Sequence, residues 1–279
     1  MSGRAPAVPQ PDARPAGGTA LDLVIEEGVA TLTLNRPAAM NALDPAAVTA
    51  LDSLLAGLRR NPEVRVLLIT GAGGHFCAGA DVKAMQGDTR TPQERRKSMD
   101  RSARICKELL EFDRPVIAAA DGVAFGAGFS LLLLSDLVLV STRVRLSMVF
   151  HRIGLVPDFG AFYTLPRVVG LQRAKELVFS AREIGAEEAL RLGIATECHA
   201  PQALLPRAQA IARSLAGASA TALSVSKRAL QASLGADLAT VLELEAAGQA
   251  LAGTSDYVRE AVRRFAAREP AQFQWPANG

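Results

Sequence analysis

The sequence predicts an α/β fold, in which short buried strands alternate with amphipathic helices over about the first two thirds of the chain. Two observations carry this prediction. Runs rich in Val, Leu and Ile lie between turn residues at 64–70 and 115–120, which is typical of buried strands. Segments with helical periodicity separate such runs, and parallel strands need a crossover connection of this kind.

A β-hairpin and a capped helix are the first elements predicted. Apolar residues alternate over 21–25 and again over 30–34, on either side of a short turn that contains glycine. Asp44 precedes Pro45 and an apolar-periodic run. This order favours a helix that Asp44 caps and that continues to about Arg60, before the first buried strand.

Two glycine-containing loops, 71–80 and 121–128, each follow a buried strand, and a charged helix with an apolar stripe lies between them. The chain is almost entirely apolar from 123 to 140, which raises the question of a membrane span. This stretch contains Asp136, whose unpaired carboxylate would be unfavourable in a bilayer. A buried helix that begins at Gly126 and leads into a buried strand explains it better. Further short strands are predicted at 137–141, 144–147 and 194–197.

Both ends of the chain are predicted to lie outside this core, which would comprise residues 20–203. Residues 1–19 contain four prolines and no apolar run. They lack the hydrophobic region of a secretory signal and are expected to form a disordered leader. Residues 204–279 are mostly helical and rich in alanine, and such a segment either packs on its own core or docks on a neighbouring subunit.

The composition argues against several kinds of partner. The 31 Lys and Arg residues exceed the 28 Asp and Glu residues only slightly, and a net charge of +3 does not predict a nucleic-acid partner. The three cysteines and the three histidines lack metal-ligand spacing, so no metal site is predicted. We expect reduced thiols and a soluble, cytoplasmic protein without membrane contact.

The two glycine loops are the candidate chemical features. A helix start preceded by glycines, as around Gly126, leaves backbone N–H groups pointing outward, and such donors suit a developing oxyanion or a phosphate. A tight turn gives the same pattern without any chemistry. The chain has neither a phosphate-binding Gly-Lys-Ser/Thr motif nor a Gly-x-Ser-x-Gly nucleophile elbow. The loops alone therefore do not identify a reaction.

Six segments, in order along the chain, resemble successive signatures of the enoyl-CoA hydratase/isomerase (crotonase) family. They are Leu-Asn-Arg-Pro at 34–37, Met-Asn-Ala-Leu at 40–43, Phe-Cys-Ala-Gly-Ala-Asp at 76–81, Gly-Ala-Gly at 126–128, Leu-Val-Pro-Asp at 155–158 and Leu-Pro-Arg-Val-Val-Gly at 165–170. The resemblance extends over residues 21–273. It implies a ββα spiral core, a C-terminal helical trimerisation region, and homotrimers that often pair into hexamers. It also implies an acyl-CoA thioester substrate, with CoA as part of the substrate and no separate cofactor.

Carried over position by position, the resemblance assigns the oxyanion hole to the backbone N–H groups of Ala78 and Ala127. Family members usually have glycine at the second position, but the backbone donor remains with alanine. Asp81 is also expected to cap the helix that follows it, and plain solvated charge is the alternative for Lys83 and Arg268. The implied contacts with CoA are Ala80, Asp81, Val82, Lys83 and Arg268.

Hydratases of this family hold a water molecule between two glutamates, and here Ser130 and Phe150 stand at those positions. Hydration needs a base for the water and an acid for the α-carbon, which a serine alone does not supply. Asp158 matches an aspartate used by the family's double-bond isomerases, and burial would raise its pKa. A turn residue after a proline is the alternative interpretation of Asp158.

The resemblance therefore favours an enoyl-CoA isomerase in which Asp158 moves the proton and the oxyanion hole stabilises a thioester enolate. Two alternatives remain: a hydratase with an atypical site, and a CoA-thioester binding protein without activity. The residues expected to line the acyl pocket are Phe129, Ser130, Phe150 and Phe162. Aromatic residues at these positions are equally typical of a plain core.

Overall fold

The predicted hairpin lies at one edge of the central sheet. In the computed structural model, which describes residues 19–277, strands β1 (Leu21–Glu26) and β2 (Val29–Leu34) pair antiparallel. The predicted leader, 1–19, lies outside the described residues apart from Thr19. The inner strand β2 then pairs in parallel with the next strand of the chain.

The main sheet of the described residues has six strands in the order β1-β2-β3-β4-β6-β8. Every neighbouring pair except β1 with β2 is parallel, as the alternation of strands and helices predicted. The strands that complete the sheet are β3 (Val66–Gly71), β4 (Val116–Ala120), β6 (Leu137–Ser141) and β8 (Glu197–His199).

Two short strands outside the main sheet form a separate parallel pair, β5 (Val123–Phe125) with β7 (Arg145–Ser147). The sequence predicted β5 only as part of a loop, because three strand residues between two glycines are too short a run to indicate a strand. The strand predicted at 194–197 lies instead at β8. The reason is that the amides of Ile194 and Ala195 donate to the carbonyl oxygen of Ala189, which holds them in a turn.

The helices begin where side chains satisfy their first free amides. Asp44 accepts a hydrogen bond from the amide of Ala47 at 2.7 Å, so α1 starts at the predicted residue. The helices of the described residues are α1 (Pro45–Arg60), α2 (Pro92–Leu110), α3 (Ala127–Leu132), α4 (Ala161–Val169), α5 (Leu171–Ser180), α6 (Ala186–Arg191), α7 (Pro201–Ala216), α8 (Ala220–Ser233), α9 (Leu238–Gly253) and α10 (Asp256–Ala266).

The long apolar stretch after residue 123 is buried inside the protein, as predicted. Every residue of α3 is buried, and the chain then passes through a short turn into β6. Within residues 19–277, no helix is both long enough and apolar enough to cross a membrane.

Alternate side chains of the parallel strands pack on opposite faces of the main sheet. Leu67 and Ile69 of β3 belong to the larger core, which includes the inner faces of α1 and α2. Val66 and Leu68 pack on the other face, against α7. Helix α7 is therefore a layer of the core, and the predicted boundary between residues 203 and 204 lies inside this helix.

Helices α8, α9 and α10, in contrast, contain no buried residue. Large apolar side chains remain exposed on them: Leu230, Leu238 and Phe265 are 71%, 73% and 87% exposed. Lys227 of α8 connects this region to the core, because its ammonium group pairs with Asp136 at 2.7 Å.

Candidate active site

The two glycine loops lie side by side and are joined by backbone hydrogen bonds. Cys77 of the first loop forms a parallel bridge with Ala124 of β5. The amides of Phe76 and Cys77 donate to the carbonyl oxygen of Val123 at 3.1 and 2.9 Å. The amide of Phe125 donates back to the carbonyl oxygen of Cys77 at 2.9 Å. Both loops are therefore held as one unit.

Gly79 allows the loops to come into contact. Its φ is +94°, and a Cβ at this position would lie 2.6 Å from the carbonyl oxygen of Phe125 and 3.3 Å from the amide nitrogen of Ala127. A side chain here would push the loops apart. The segments on either side of this contact are consequently close neighbours.

The backbone amide of Ala78, predicted as one oxyanion donor, is already used inside the protein. It donates to the carbonyl oxygen of Met40 at 2.9 Å, and Met40 lies in a left-handed turn with φ 48°. An amide cannot stabilise an oxyanion while it holds this bond. The prediction for Ala78 is therefore corrected, and the reason is a partner 38 positions earlier in the chain that no local pattern reveals.

The free amide of the first loop belongs to Ala80, which has no hydrogen-bond acceptor within residues 19–277. Leu43 bridges Ala80 in parallel: the amide of Leu43 donates to Gly79, and the amide of Asp81 donates to Leu43. In such a bridge the N–H of the central residue points away from the partner strand. Ala80 was predicted as a CoA contact, and the glycine before it is the sequence signal that could have pointed to its free amide.

The second predicted donor, the amide of Ala127, also lacks an acceptor in the described part of the chain. Ala127 is the first residue of α3, and the first amides of a helix have no acceptor within the helix. Ala127 and Ala80 line one cavity of about 620 Å³. The structure thus brings together the amides of Ala80 and Ala127.

The carboxylate of Asp158 lies in the same cavity, beside Phe159. Its Oδ1 is buried and has no hydrogen-bond partner within the described residues. Asp158 does occupy a turn, because its carbonyl oxygen accepts a hydrogen bond from Ala161 at 3.1 Å. The side chain, however, does not cap α4, whose N-cap is Gly160. A role in the turn alone therefore does not explain why the carboxylate of Asp158 is buried without a partner.

Burial raises the pKa of Asp158 from its ordinary value to about 6, and the residue's own backbone amide lowers it by less. The cause is that a carboxylate loses hydration in the cavity wall while no cation compensates for it. A carboxyl group with a pKa near neutrality can both accept and return a proton under physiological conditions.

Two other carboxylates that line the cavity, those of Asp44 and Asp81, already have a partner. Arg36 pairs with both Asp44 and Asp81 at 3.1 Å. Asp81 also accepts a hydrogen bond from the amide of Lys83, so it caps the short 3-10 helix Val82–Met85, as predicted. Residues 19–277 contain no group of three or more His, Cys, Asp or Glu side chains that could hold a metal ion.

Asn41 holds the first loop in place. Its side-chain Nδ2 donates to the carbonyl oxygens of Ala72 and His75 at 2.9 and 2.7 Å, and its Oδ1 accepts from the amide of Arg36 at 2.9 Å. The residue is only 2% exposed and has φ 58°, a backbone conformation that asparagine tolerates better than most residues.

Replacement of Asn41 by alanine is expected to lower the free energy of unfolding by about 2 to 4 kcal/mol, because three partly buried backbone groups lose their partners. Chemical denaturation measures this difference. Asn35→Ala is the control: the Asn35 amide donates to a single carboxylate, that of Asp22, and its loss should change stability much less. Equal effects of the two substitutions would contradict the role given to Asn41.

The four residues predicted to line the acyl pocket do not line this cavity. Ser130 is fully buried, and its hydroxyl donates to the carbonyl oxygen of Gly126 at 3.1 Å. Phe129 and Phe150 are buried in the core, whereas Phe162 is 63% exposed on α4. The acyl-pocket role of these four positions stays a prediction.

Helix α2 supplies the wall that the sequence did not predict. Ser98, Met99 and Ser102 of this helix line the same cavity as Asp158 and Ala127. Met99 is an apolar residue of α2, and periodicity alone does not distinguish a core face from a cavity wall.

The remaining predicted CoA contacts lie outside the cavity lining. Val82, 52% exposed, and Lys83 belong to the short 3-10 helix next to Asp81, and Arg268 follows the end of α10 with φ 55°. Lys83 and Arg268 are not engaged in an ion pair within the described residues, which leaves both charges available.

Comparison with known proteins gives one consistent result. The family model described as Enoyl-CoA hydratase/isomerase matches residues 24–276. The chain is 36% identical over 251 residues to the 1,2-epoxyphenylacetyl-CoA isomerase of Escherichia coli (strain K12), a match that covers 89% of this chain and 96% of that relative. It is 33% identical over 221 residues to the short-chain-enoyl-CoA hydratase of Clostridium acetobutylicum, a match that covers 79% and 84% of the two chains.

Comparison with solved structures agrees with this family. An enoyl-CoA hydratase/isomerase from Cupriavidus metallidurans CH34 aligns with a TM-score of 0.88 at 42% sequence identity, over 93% of this chain and 98% of that one. This similarity confirms the crotonase-like fold expected from the sequence motifs.

Proposed function

Because this chain belongs to the enoyl-CoA hydratase/isomerase family, we propose that it shifts a double bond along the acyl chain of a CoA thioester, with Asp158 as acid and base. The observation that carries the proposal is the buried, unpartnered carboxylate oxygen of Asp158 in the cavity that Ala80 and Ala127 also line. The two curated relatives carry the names of an isomerase and a hydratase, so their names support the family and not one reaction.

In the proposed reaction the thioester oxygen binds between the amides of Ala80 and Ala127. The carboxylate of Asp158 removes a proton from C2 of a 3-enoyl group, and the electron pair moves onto the thioester oxygen. The two amides stabilise this oxyanion, and one donor of this kind is typically worth about two to three orders of magnitude in rate.

The second half of the reaction returns a proton to the acyl chain, and solvent deuterium enters when the proton held by Asp158 exchanges before this step. Asp158, now a carboxylic acid, protonates C4, and the double bond moves from C3–C4 to C2–C3. Atoms and charge balance without water or any further reactant. A pKa of about 6 suits this double role, because the carboxyl group neither holds the proton too tightly nor releases it too readily.

Hydration is the second candidate, and the name of the Clostridium relative supports it. It would need a second group to activate water. The Ser130 hydroxyl donates to Gly126, and Phe150 carries no polar atom, so neither position offers a base. Isomerisation needs only one carboxyl group and is therefore the reaction that we favour.

We further propose that Val82, Lys83 and Arg268 contact the CoA part of the substrate, together with Ala80 and Asp81. The short 3-10 helix directly follows Ala80 and Asp81, both of which line the cavity. An ammonium group without an ion-pair partner beside the cavity is suited to a CoA phosphate. The cytoplasmic location and the lack of a separate cofactor stay predictions.

A single assay separates the candidate functions. The purified protein is mixed with a trans-2-enoyl-CoA or with a cis-3-enoyl-CoA, and the absorbance of the conjugated thioester is followed. An isomerase raises this absorbance with the cis-3 substrate, whereas a hydratase lowers it with the trans-2 substrate. Binding of both thioesters without any change in absorbance would indicate a binding protein and contradict the proposal.

We expect the protein to assemble as a homotrimer or a hexamer, because α8–α10 leave large apolar side chains exposed in a single chain. Light scattering at micromolar concentration measures the mass. Leu230→Asp and Leu238→Asp place charges on these helices and should shift the equilibrium toward smaller species. A parent protein that is monomeric at this concentration would contradict the expectation.

A further inference from the structure

One side chain in the cavity wall is not used by the proposed reaction. Ser102 lies in the interior of α2, lines the cavity and is only 6% exposed. Its hydroxyl has no hydrogen-bond partner within residues 19–277. Other serines of this region do have one: Ser98 donates to Arg95 at 2.6 Å and Ser130 donates to Gly126 at 3.1 Å.

This arrangement is unusual for a serine inside a helix. Such a residue normally donates to the carbonyl oxygen of the preceding turn, as Ser98 does. The Ser102 hydroxyl is not among the buried polar atoms that lack a partner, so it keeps contact with the open space of the cavity that Ser102 lines. Ser102 therefore offers the cavity a hydroxyl that can bond water or a ligand.

The position of Ser102 along α2 shows where it lies relative to Asp158, at the end of the cavity where the proposed proton transfer takes place. Cys106 lies one turn further along the helix; burial raises the pKa of its thiol, and the nearby charge of Asp158 raises it further. Cys106 is 9% exposed, whereas Met99, on the other side of Ser102, is 44% exposed. Four helical residues span about 6 Å. The hydroxyl of Ser102 thus lies between the Asp158 end and the cavity mouth.

The apolar surroundings of Ser102 allow its hydroxyl to discriminate between a plain hydrocarbon chain and one that carries an oxygen atom. Val48, Met99 and Phe159 contribute apolar surface to the same cavity, while Ser98 has already used its own hydroxyl. A plain hydrocarbon chain would leave the Ser102 hydroxyl unpaired when it displaces water from this space. An oxygen atom on the chain would restore the bond, since a hydroxyl can donate or accept.

We infer that Ser102 is a specificity-determining residue that hydrogen-bonds an oxygen substituent of the acyl chain, beyond the carbons that react. The preferred substrates are then CoA thioesters whose acyl group carries a hydroxyl or keto group distal to the thioester. This inference rests on the proposed function, because it requires an acyl-CoA in this cavity.

Binding of saturated thioesters tests it without turnover. Calorimetry compares octanoyl-CoA with the octanoyl-CoA series that carries one hydroxyl at C5, C6, C7 or C8. The parent protein should bind at least one hydroxylated member about tenfold more tightly than octanoyl-CoA, the usual worth of one net hydrogen bond. Ser102→Ala should bring the ratio of the two affinities to about one.

Ser98→Ala is the matched control, because it removes a hydroxyl from the same helix and the same cavity wall. Its bond to Arg95 is internal, so the affinity ratio should stay as in the parent. A parent ratio of about one, or an equal loss of affinity for both ligands in Ser102→Ala, would overturn the inference. Equal effects of both serine variants on the ratio would overturn it as well.

Failure of the proposed function gives a different result. A parent protein that binds none of these thioesters and leaves their α-protons unexchanged in deuterium oxide contradicts the function itself. A parent that binds octanoyl-CoA and exchanges its α-protons, but has no preference for an oxygen substituent, contradicts only the role of Ser102.

Discussion

Replacement of Asp158 by asparagine is expected to lower the turnover of a 3-enoyl-CoA by at least about a hundredfold. Asparagine keeps the size and the planar shape of the side chain but cannot carry the proton from C2 to C4. Deuterium from the solvent should enter the acyl chain with the parent protein and not with the variant. The absorbance of the conjugated thioester measures the turnover, and mass spectrometry of the recovered thioester measures the deuterium.

Asp113→Asn is the control for this substitution. Asp113 also has a buried Oδ1 without a hydrogen-bond partner in the described part of the chain, but it does not line the cavity. Its variant should turn over the substrate at about the parent rate. If Asp158→Asn isomerises and exchanges deuterium as fast as the parent, Asp158 is a turn residue and another base acts.

The rate should also depend on pH in a defined direction. Asp158 has a pKa of about 6 in the folded protein, so the base form required for proton removal accumulates as pH rises through this value. The parent kcat/KM should rise over this range and level off above it. The small remaining rate of Asp158→Asn should lack this rise.

The raised pKa of Asp158 has a second consequence, for stability. Its ordinary value is about 3.9, so between about pH 4 and pH 6 the folded protein holds a proton that the unfolded chain has lost. The contribution of Asp158 to stability therefore falls as pH rises through this window. Over the same window, the free energy of unfolding of Asp158→Asn should rise relative to that of the parent.

Replacement of Ala127 by proline is expected to lower turnover by about two to three orders of magnitude, because proline removes one backbone oxyanion donor. Ala127 is the first residue of α3, which is the helical position where proline is best tolerated. Its amide has no acceptor within residues 19–277, so no internal bond is lost. Binding of a saturated acyl-CoA should weaken less than turnover does.

Ala127→Gly is the matched control, because it also changes the side chain but keeps the amide. It should retain most of the parent rate. A thermal unfolding measurement shows whether either variant has lost its fold. Equal losses of binding and turnover in a folded Ala127→Pro, or a normal rate, would contradict the oxyanion role of this amide.

The order of the elements followed from local sequence. Alternating apolar residues predicted the hairpin, and Asp44 before Pro45 predicted the start of α1, because these signals act between residues close in the chain. Asp158 could also be proposed from the sequence, since its motif is contiguous. Where glycines interrupted the pattern, as around β5, the local signal was too short to identify a strand.

The identity of the free amides was decided by tertiary contacts. The carbonyl oxygen of Met40 accepts from the amide of Ala78, and the bridge with Leu43 leaves the amide of Ala80 without an acceptor among the described residues. Both partners lie far back in the chain, so a motif shows which loop is near the site but not which of its N–H groups is unpaired. The sequence likewise did not predict that Ser102 and Met99 line the cavity, because the cavity is formed by segments that are distant in the chain.

The sequence by itself thus determined the α/β order of strands and helices and the family motifs, and it singled out Asp158 as a candidate acid and base. The tertiary structure alone decided that Ser130 is bonded to its own helix, that α7 covers the sheet, and that Asp158 is buried without a partner. Periodicity and capping depend on neighbours in the chain. Burial and hydrogen-bond availability depend on which distant segments pack together, and these two properties set the chemistry of the site.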